Sequence, residues 1–139
     1  MREGVEAVSH DIIFPSQDKF AFYGWRTSME ISTKEFKHCD MVLVKGRVDS
    51  ATAPQFSKAL DAVIGKGVYK IVVDMSNLEY MSSAGFRALL AAQRACKRYN
   101  RGEVVLASVT NRIREALELA GFTELFRISN DPLEAVGSL

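Results

Sequence analysis

The chain has 139 residues, enough for one domain, and its 47% apolar and 25% charged residues match a globular domain that buries its own core. Its 18 Lys and Arg against 17 Asp and Glu leave a formal net charge of +1, which excludes direct nucleic-acid binding by bulk electrostatics. No run reaches the roughly 18 apolar residues of a membrane span, and an N-terminus with Glu3 and Glu6 and no apolar stretch is not a signal peptide.

Residues 1–28 carry five aromatics (Phe14, Phe20, Phe22, Tyr23 and Trp25) but no sustained period. Tails that stay disordered are poor in aromatics, so this extension reads as a segment that docks on something. The alternative is that Met29, directly ahead of the periodic region, is the true start. From there the pattern alternates between strand and helix. Residues 31–36 and 41–44 read as antiparallel strands, the second closed by Lys45 and Gly46. Asp49, Ser50 and Thr52 offer oxygens to the free N–H groups of a helix start, and Pro54 is tolerated in a first turn. Phe56, Ala59, Leu60, Val63 and Ile64 form one face of a helix over 52–64, which Gly65 and Gly67 stop.

The β-branched run at 70–74 does not alternate, which marks a central parallel strand covered on both faces. Residues 75–81 read as a connector. A second helix starts near Ser83 and reaches about residue 100. Phe86, Leu89, Leu90, Gln93, Cys96 and Tyr99 fall on or near one stripe of it, and Arg87, Arg94, Arg98 and Arg101 on another. Residues 103–107 form a strand, and Asn111 caps a third helix with Ile113, Ala116, Leu117 and Ala120 inward and Gly121 at its end. A short strand over 125–128 and a helix over 132–136 complete the pattern. Such alternation is the mark of βαβ crossovers and a mostly parallel sheet. Phe56, Leu60, Ile64, Ile71, Val73, Leu89, Leu90, Val105, Leu117 and Phe126 form the expected core.

Cys39 and Cys96 make no CxxC pair and read as reduced, partly buried thiols of a cytoplasmic protein. With only His10 and His38 besides, no spacing suits a metal. The informative stretch is Met81-Ser82-Ser83-Ala84-Gly85-Phe86. A serine pair there leaves the carboxyl end of a strand and enters a helix, whose first N–H groups and dipole favour an anion or a phosphate carried by the serine. The plainer role is an N-cap, filled by Ser82 or Ser83. Gly85, lacking a Cβ, would let a partner approach the first turn. A serine nucleophile at Ser82 or Ser83 finds no histidine nearby and no Gly-x-Ser-x-Gly, Phe86 rather than lysine stands three residues after Ser83, and no Walker-type phosphate loop is present. The basic stripe, which also includes Lys97, suits either solvent or an acidic partner.

Lys45-Gly46-Arg47-Val48-Asp49-Ser50 ahead of a helix, Ile71-Val72-Val73-Asp74 followed by the serine pair, and Ala120-Gly121-Phe122 after the third helix resemble a STAS domain of the anti-sigma-factor antagonist type. The resemblance covers residues 29–139 and implies an α/β fold, a mixed sheet of four to five strands flanked by helices. It also implies a cytoplasmic, non-enzymatic switch without cofactor or metal. The unmodified protein binds an anti-sigma factor with GHKL-type serine kinase activity; phosphorylation of one serine breaks the complex, and a PP2C-like, metal-dependent phosphatase restores it. The family motif is Asp-Ser-Ser-Gly or Asp-Ser-Thr-Gly, which places Ser83 at the phosphoacceptor and Ser82 where aspartate is usual. Asp49, Ser50, Thr52, Ser82, Ala84, Gly85 and Arg87 then form the partner-binding surface. The alternative is a STAS module of another regulatory scaffold (stressosome-like) or of a lipid-transport complex.

Overall fold

A computed structural model describes residues 29–98 and 102–139, so the expectations for residues 1–28, Tyr99 and Arg101 lie outside the described residues. Strands β1 (Met29–Glu35) and β2 (Asp40–Val48) pair antiparallel, with Ile31 opposite Val44. β3 (Lys70–Met81), β4 (Glu103–Ala107) and β5 (Arg127–Ser129) add in parallel, so the five-stranded sheet is mixed, in the order β1-β2-β3-β4-β5. Helices α1 (Ala53–Gly65), α2 (Ser83–Arg98), α3 (Asn111–Leu119) and α4 (Pro132–Gly137) make the connections and the final cover. Each parallel pair is joined through a helix, as the alternating pattern requires.

Strand β3 shows why its first half lacks alternation. Ile71 and Val73 pack into the main core with Phe56 and Leu60 of α1, Leu89 of α2 and Leu117 of α3. Val72, on the opposite face, packs with Met41, Val105 and Ala135 of α4. Both faces are covered, and each of these residues is fully or almost fully buried. Burying a ring such as Phe56 contributes about 2–3 kcal/mol. Of the expected core, Ile64 and Leu90 are only half-buried, because they sit at the margins of their helices' inner faces. Ala120 is exposed: α3 has ended by then, and Ala120 is its C-cap. Gln93 earns its inward position by hydrogen bonding: its Nε2 donates to the Leu125 carbonyl at 2.7 Å, and its Oε1 accepts from the Val104 N–H at 2.7 Å.

Three local expectations need correction. Residues 75–81 are not a connector but the second half of β3. Against β2 this half has one extra residue at each of two places: Leu43 and Lys45 face Asp74 and Asn77, while Gly46 and Arg47 face Leu78 and Tyr80. Such bulges twist a strand and break its side-chain alternation. Gly46, with φ of +93°, supplies the backbone conformation needed beside them. Thr110, not Asn111, caps α3, its hydroxyl accepting from the Ile113 N–H at 3.4 Å. The last strand begins at Arg127; Leu125 belongs to the preceding turn, where its N–H donates to the Phe122 carbonyl at 2.9 Å.

Candidate functional site at the two helix N-termini

Neighbouring parallel strands β2 and β3 end together, with Val48 opposite Met81 and both buried. The residues that follow them, Asp49 and Ser82, therefore leave the sheet side by side. A hydrogen bond from the Ser82 N–H to the Val48 carbonyl (2.8 Å) fastens the two exits. The sequence segments expected to bind a partner thus meet at one edge.

After β2 the chain makes a four-residue turn. Asp49 Oδ1 accepts from the N–H groups of Ala51 (3.0 Å) and Thr52 (3.1 Å). The Thr52 hydroxyl accepts from the Asp49 N–H and donates to the Arg47 carbonyl, both at 2.9 Å. These oxygens were expected to cap α1, but they close the turn on itself instead. Thr52 has helical backbone angles and makes no side-chain cap bond. Ser50 and Ala51 stand exposed at the tip.

After β3 there is almost no turn. Ser82 alone separates strand from helix; its Oγ accepts from the Ala84 N–H at 3.2 Å, and its carbonyl accepts from the N–H groups of Gly85 and Phe86. Ser82 therefore holds the cap, and Ser83 is the first residue of α2. Ser83 is exposed, and its hydroxyl makes no hydrogen bond among the described residues. Gly85 faces the protein, not a partner: a Cβ there would lie 2.6 Å from Met81 Cγ and 2.8 Å from Val48 Cγ1. Its missing side chain is what lets α2 rest on the ends of β2 and β3.

Between α1 and α2 runs an open groove of about 340 Å³, lined by Ser50, Ala53, Pro54, Ser57, Ala84, Arg87, Ala88 and Ala91. It unites Ser50, Ala84 and Arg87 from the expected surface. Arg87, one turn beyond Ser83, is exposed and makes no ion pair or hydrogen bond among the described residues. The alanine floor was missed, although Ala84, Ala88 and Ala91 recur at the i, i+4, i+7 spacing of one helix face. Also missed was Arg47, whose guanidinium stacks 4.4 Å from the Tyr80 ring centroid across the bulged pair.

The other titratable groups sit elsewhere. His38 lies beside Gly67, Tyr69 and Lys70, at the far end of the 12-residue β3 from Ser83. A strand of that length spans roughly 35–40 Å, so His38 cannot serve as a base for Ser83. Lys66 donates to Asp40 (2.9 Å) and Glu35 (3.0 Å). Partial burial opposes its charge, but the two carboxylates outweigh that and hold its pKa above 10.5. Cys39 and Cys96 are free thiols, both buried, and burial pushes Cys96 up to about 11. Among the described residues no cluster of His, Cys, Asp and Glu could hold a metal ion, and no helix is long and apolar enough to cross a membrane.

The family profile described as "Mlab, STAS domain" matches residues 31–128. The chain belongs to the STAS domain family. This STAS domain is 36% identical over 87 residues to the putative anti-sigma factor antagonist BtrV of Bordetella bronchiseptica, covering 63% of this chain and 74% of that one. It is 28% identical over 103 residues to the anti-sigma-B factor antagonist of Listeria monocytogenes, covering 74% and 89%. The crystal structure of an anti-sigma factor antagonist from Mycobacterium paratuberculosis shares its fold, with a TM-score of 0.73 at 22% identity over 80% of this chain and 93% of that one. The expected fold and family are thereby established.

Proposed function

We propose that this STAS domain is an anti-sigma-factor antagonist: a cytoplasmic binding switch rather than an enzyme, whose partner is an anti-sigma factor with GHKL-type serine kinase activity. Phosphorylation of Ser83 releases that partner, and a PP2C-like phosphatase resets the switch. Residues 29–139 carry the function as the STAS domain, and 1–28 form an N-terminal extension to it in sequence. The relatives' names support the class, since one curated relative is named a putative anti-sigma factor antagonist and another an anti-sigma-B factor antagonist.

The observation that carries the reading is the contrast within the serine pair. The Ser82 hydroxyl is engaged as a cap, whereas that of Ser83 is exposed on the first turn of α2 and makes no hydrogen bond among the described residues. A phosphate there adds a charge of about −1.5 to −2, which the helix N-terminus accommodates with roughly half a positive charge of its own. The fold is thus left intact. A partner covering Asp49, Ser50, Thr52, Ser82, Ala84 and Arg87 must instead desolvate the new charge. A cost of about 3 kcal/mol is a hundredfold in affinity. Ser82 stands where the family motif usually has aspartate, so the carboxylate beside the target hydroxyl is missing here.

The test is to incubate the full chain with its cognate serine kinase and ATP and to map the phosphate by mass spectrometry. Modification of wild type and Ser82→Ala at Ser83, with none on Ser83→Ala, is expected. Phosphate on Ser82 would overturn the site, and an unmodified chain would overturn the switch in favour of a scaffold role.

A further inference from the structure

Helix α2 contains no acidic residue (SAGFRALLAAQRACKR), and Arg87 has no partner among the described residues. Among the described residues, Arg87 also supplies the only charge lining the α1–α2 groove, whose remaining lining is alanine, serine and proline. Ser83 lies four residues before it, and residues at i and i+4 share a helix face with Cβ atoms roughly 5–6 Å apart. At the same edge, Asp49 Oδ1 accepts within its own turn, and Arg47 stacks on Tyr80.

We infer that Arg87 is the intramolecular receptor for a phosphate on Ser83. The inference rests on the reading of Ser83 as the phosphoacceptor and adds how the modification acts. An acid on the N-terminal side of a base at i, i+4 is the favourable orientation on a helix. The planar guanidinium grips phosphate oxygens in a bidentate fork that lysine cannot reproduce. Phosphorylation then changes the groove twice. It places an anion at the groove's mouth, and it draws the groove's single cation out of reach of an acidic partner. The groove's edge then carries a net negative charge, since one guanidinium does not balance a phosphate of about −1.5 to −2, and it repels a partner's carboxylate.

The inference can be tested without kinase or partner. Phosphoserine is installed at position 83 during synthesis of the full chain, and its second ionisation is followed by phosphorus NMR at low ionic strength. Arg87 should lower that apparent pKa by about 0.4 unit relative to an Arg87→Gln phosphoprotein, the size of an i, i+4 pair of about 0.5 kcal/mol. Arg94→Gln, further along α2, should leave it unchanged, and 1 M salt should shrink the difference. Equal values for wild type and Arg87→Gln, or an equal shift from Arg94→Gln, would overturn the pairing. A kinase that ignores Ser83 while the pKa difference is present would refute the switch and uphold the pairing.

Discussion

The turn after β2 and the junction after β3 lie side by side, leave parallel strands at the same edge, and each start a helix, yet they are built in opposite ways. The first is closed by five side-chain hydrogen bonds among Arg47, Asp49, Ala51 and Thr52. The second has one side-chain bond, from the Ala84 N–H to Ser82 Oγ, and is held chiefly by packing under Gly85. A self-closed turn presents a fixed shape. A junction fixed from below leaves its outer hydroxyl, Ser83, uncommitted. Two adjacent helix starts can thus divide the work, one as a template and the other as the place where a covalent change costs the fold little.

Raising the pH should lower stability without touching either start. Cys96 titrates at about 11 in the folded chain against an ordinary 9.0, so the unfolded state loses its proton first. Stability should fall through that window by about 2–3 kcal/mol. Lys66, held above 10.5, acts in the same sense: its contribution is complete below 10.5 and is lost as the pH rises beyond that, through its raised folded value. Urea unfolding across pH 8–11 measures this, and the loss should be the same in variants of either start.

Asp49→Ala should cost about 2 kcal/mol, because two backbone N–H groups lose a charged acceptor. A cost no larger than that of Ser82→Ala would remove the distinction between the two starts. Gly85→Ala should cost about 1.5 kcal/mol by overpacking against Met81 and Val48, with a lower thermal midpoint as the readout. Ser82→Ala should cost about 1 kcal/mol as a lost cap, and Ser83→Ala less than about 0.5 kcal/mol as an exposed, unbonded position. Equal losses in the two serine variants would show that Ser83 shares the cap.

The helices, the central strand and the serine pair were legible because each leaves a periodic or positional trace. Phe56 to Val63 repeat every three or four residues, the 70–74 run is β-branched throughout, and serine before an apolar stripe announces a helix start. The second half of β3 left no such trace. Two bulges space its buried residues Met75, Leu78 and Met81 three apart, a period belonging to neither strand nor amphipathic helix. The inward role of Gly85 was hidden for another reason: a missing side chain reads alike whether a partner or the protein's own β3 comes close. The closed turn at Asp49 was half legible. The oxygens were recognised, but whether they serve the helix or their own turn depends on the backbone angles of Thr52, which composition does not reveal.

The bulged half of β3 also sets which changes of chain length the molecule can absorb. Ser76, Asn77, Glu79 and Tyr80 are exposed and read like loop positions, where insertions and deletions are ordinarily harmless. Here the number of residues is itself information. Losing one would carry Met81 out of the core and turn Ser82 and Ser83 with it, as a register slip turns every side chain that follows. This segment should therefore vary freely in its letters but not in its length, and the place where Ser83 faces the outside is counted out along these exposed residues.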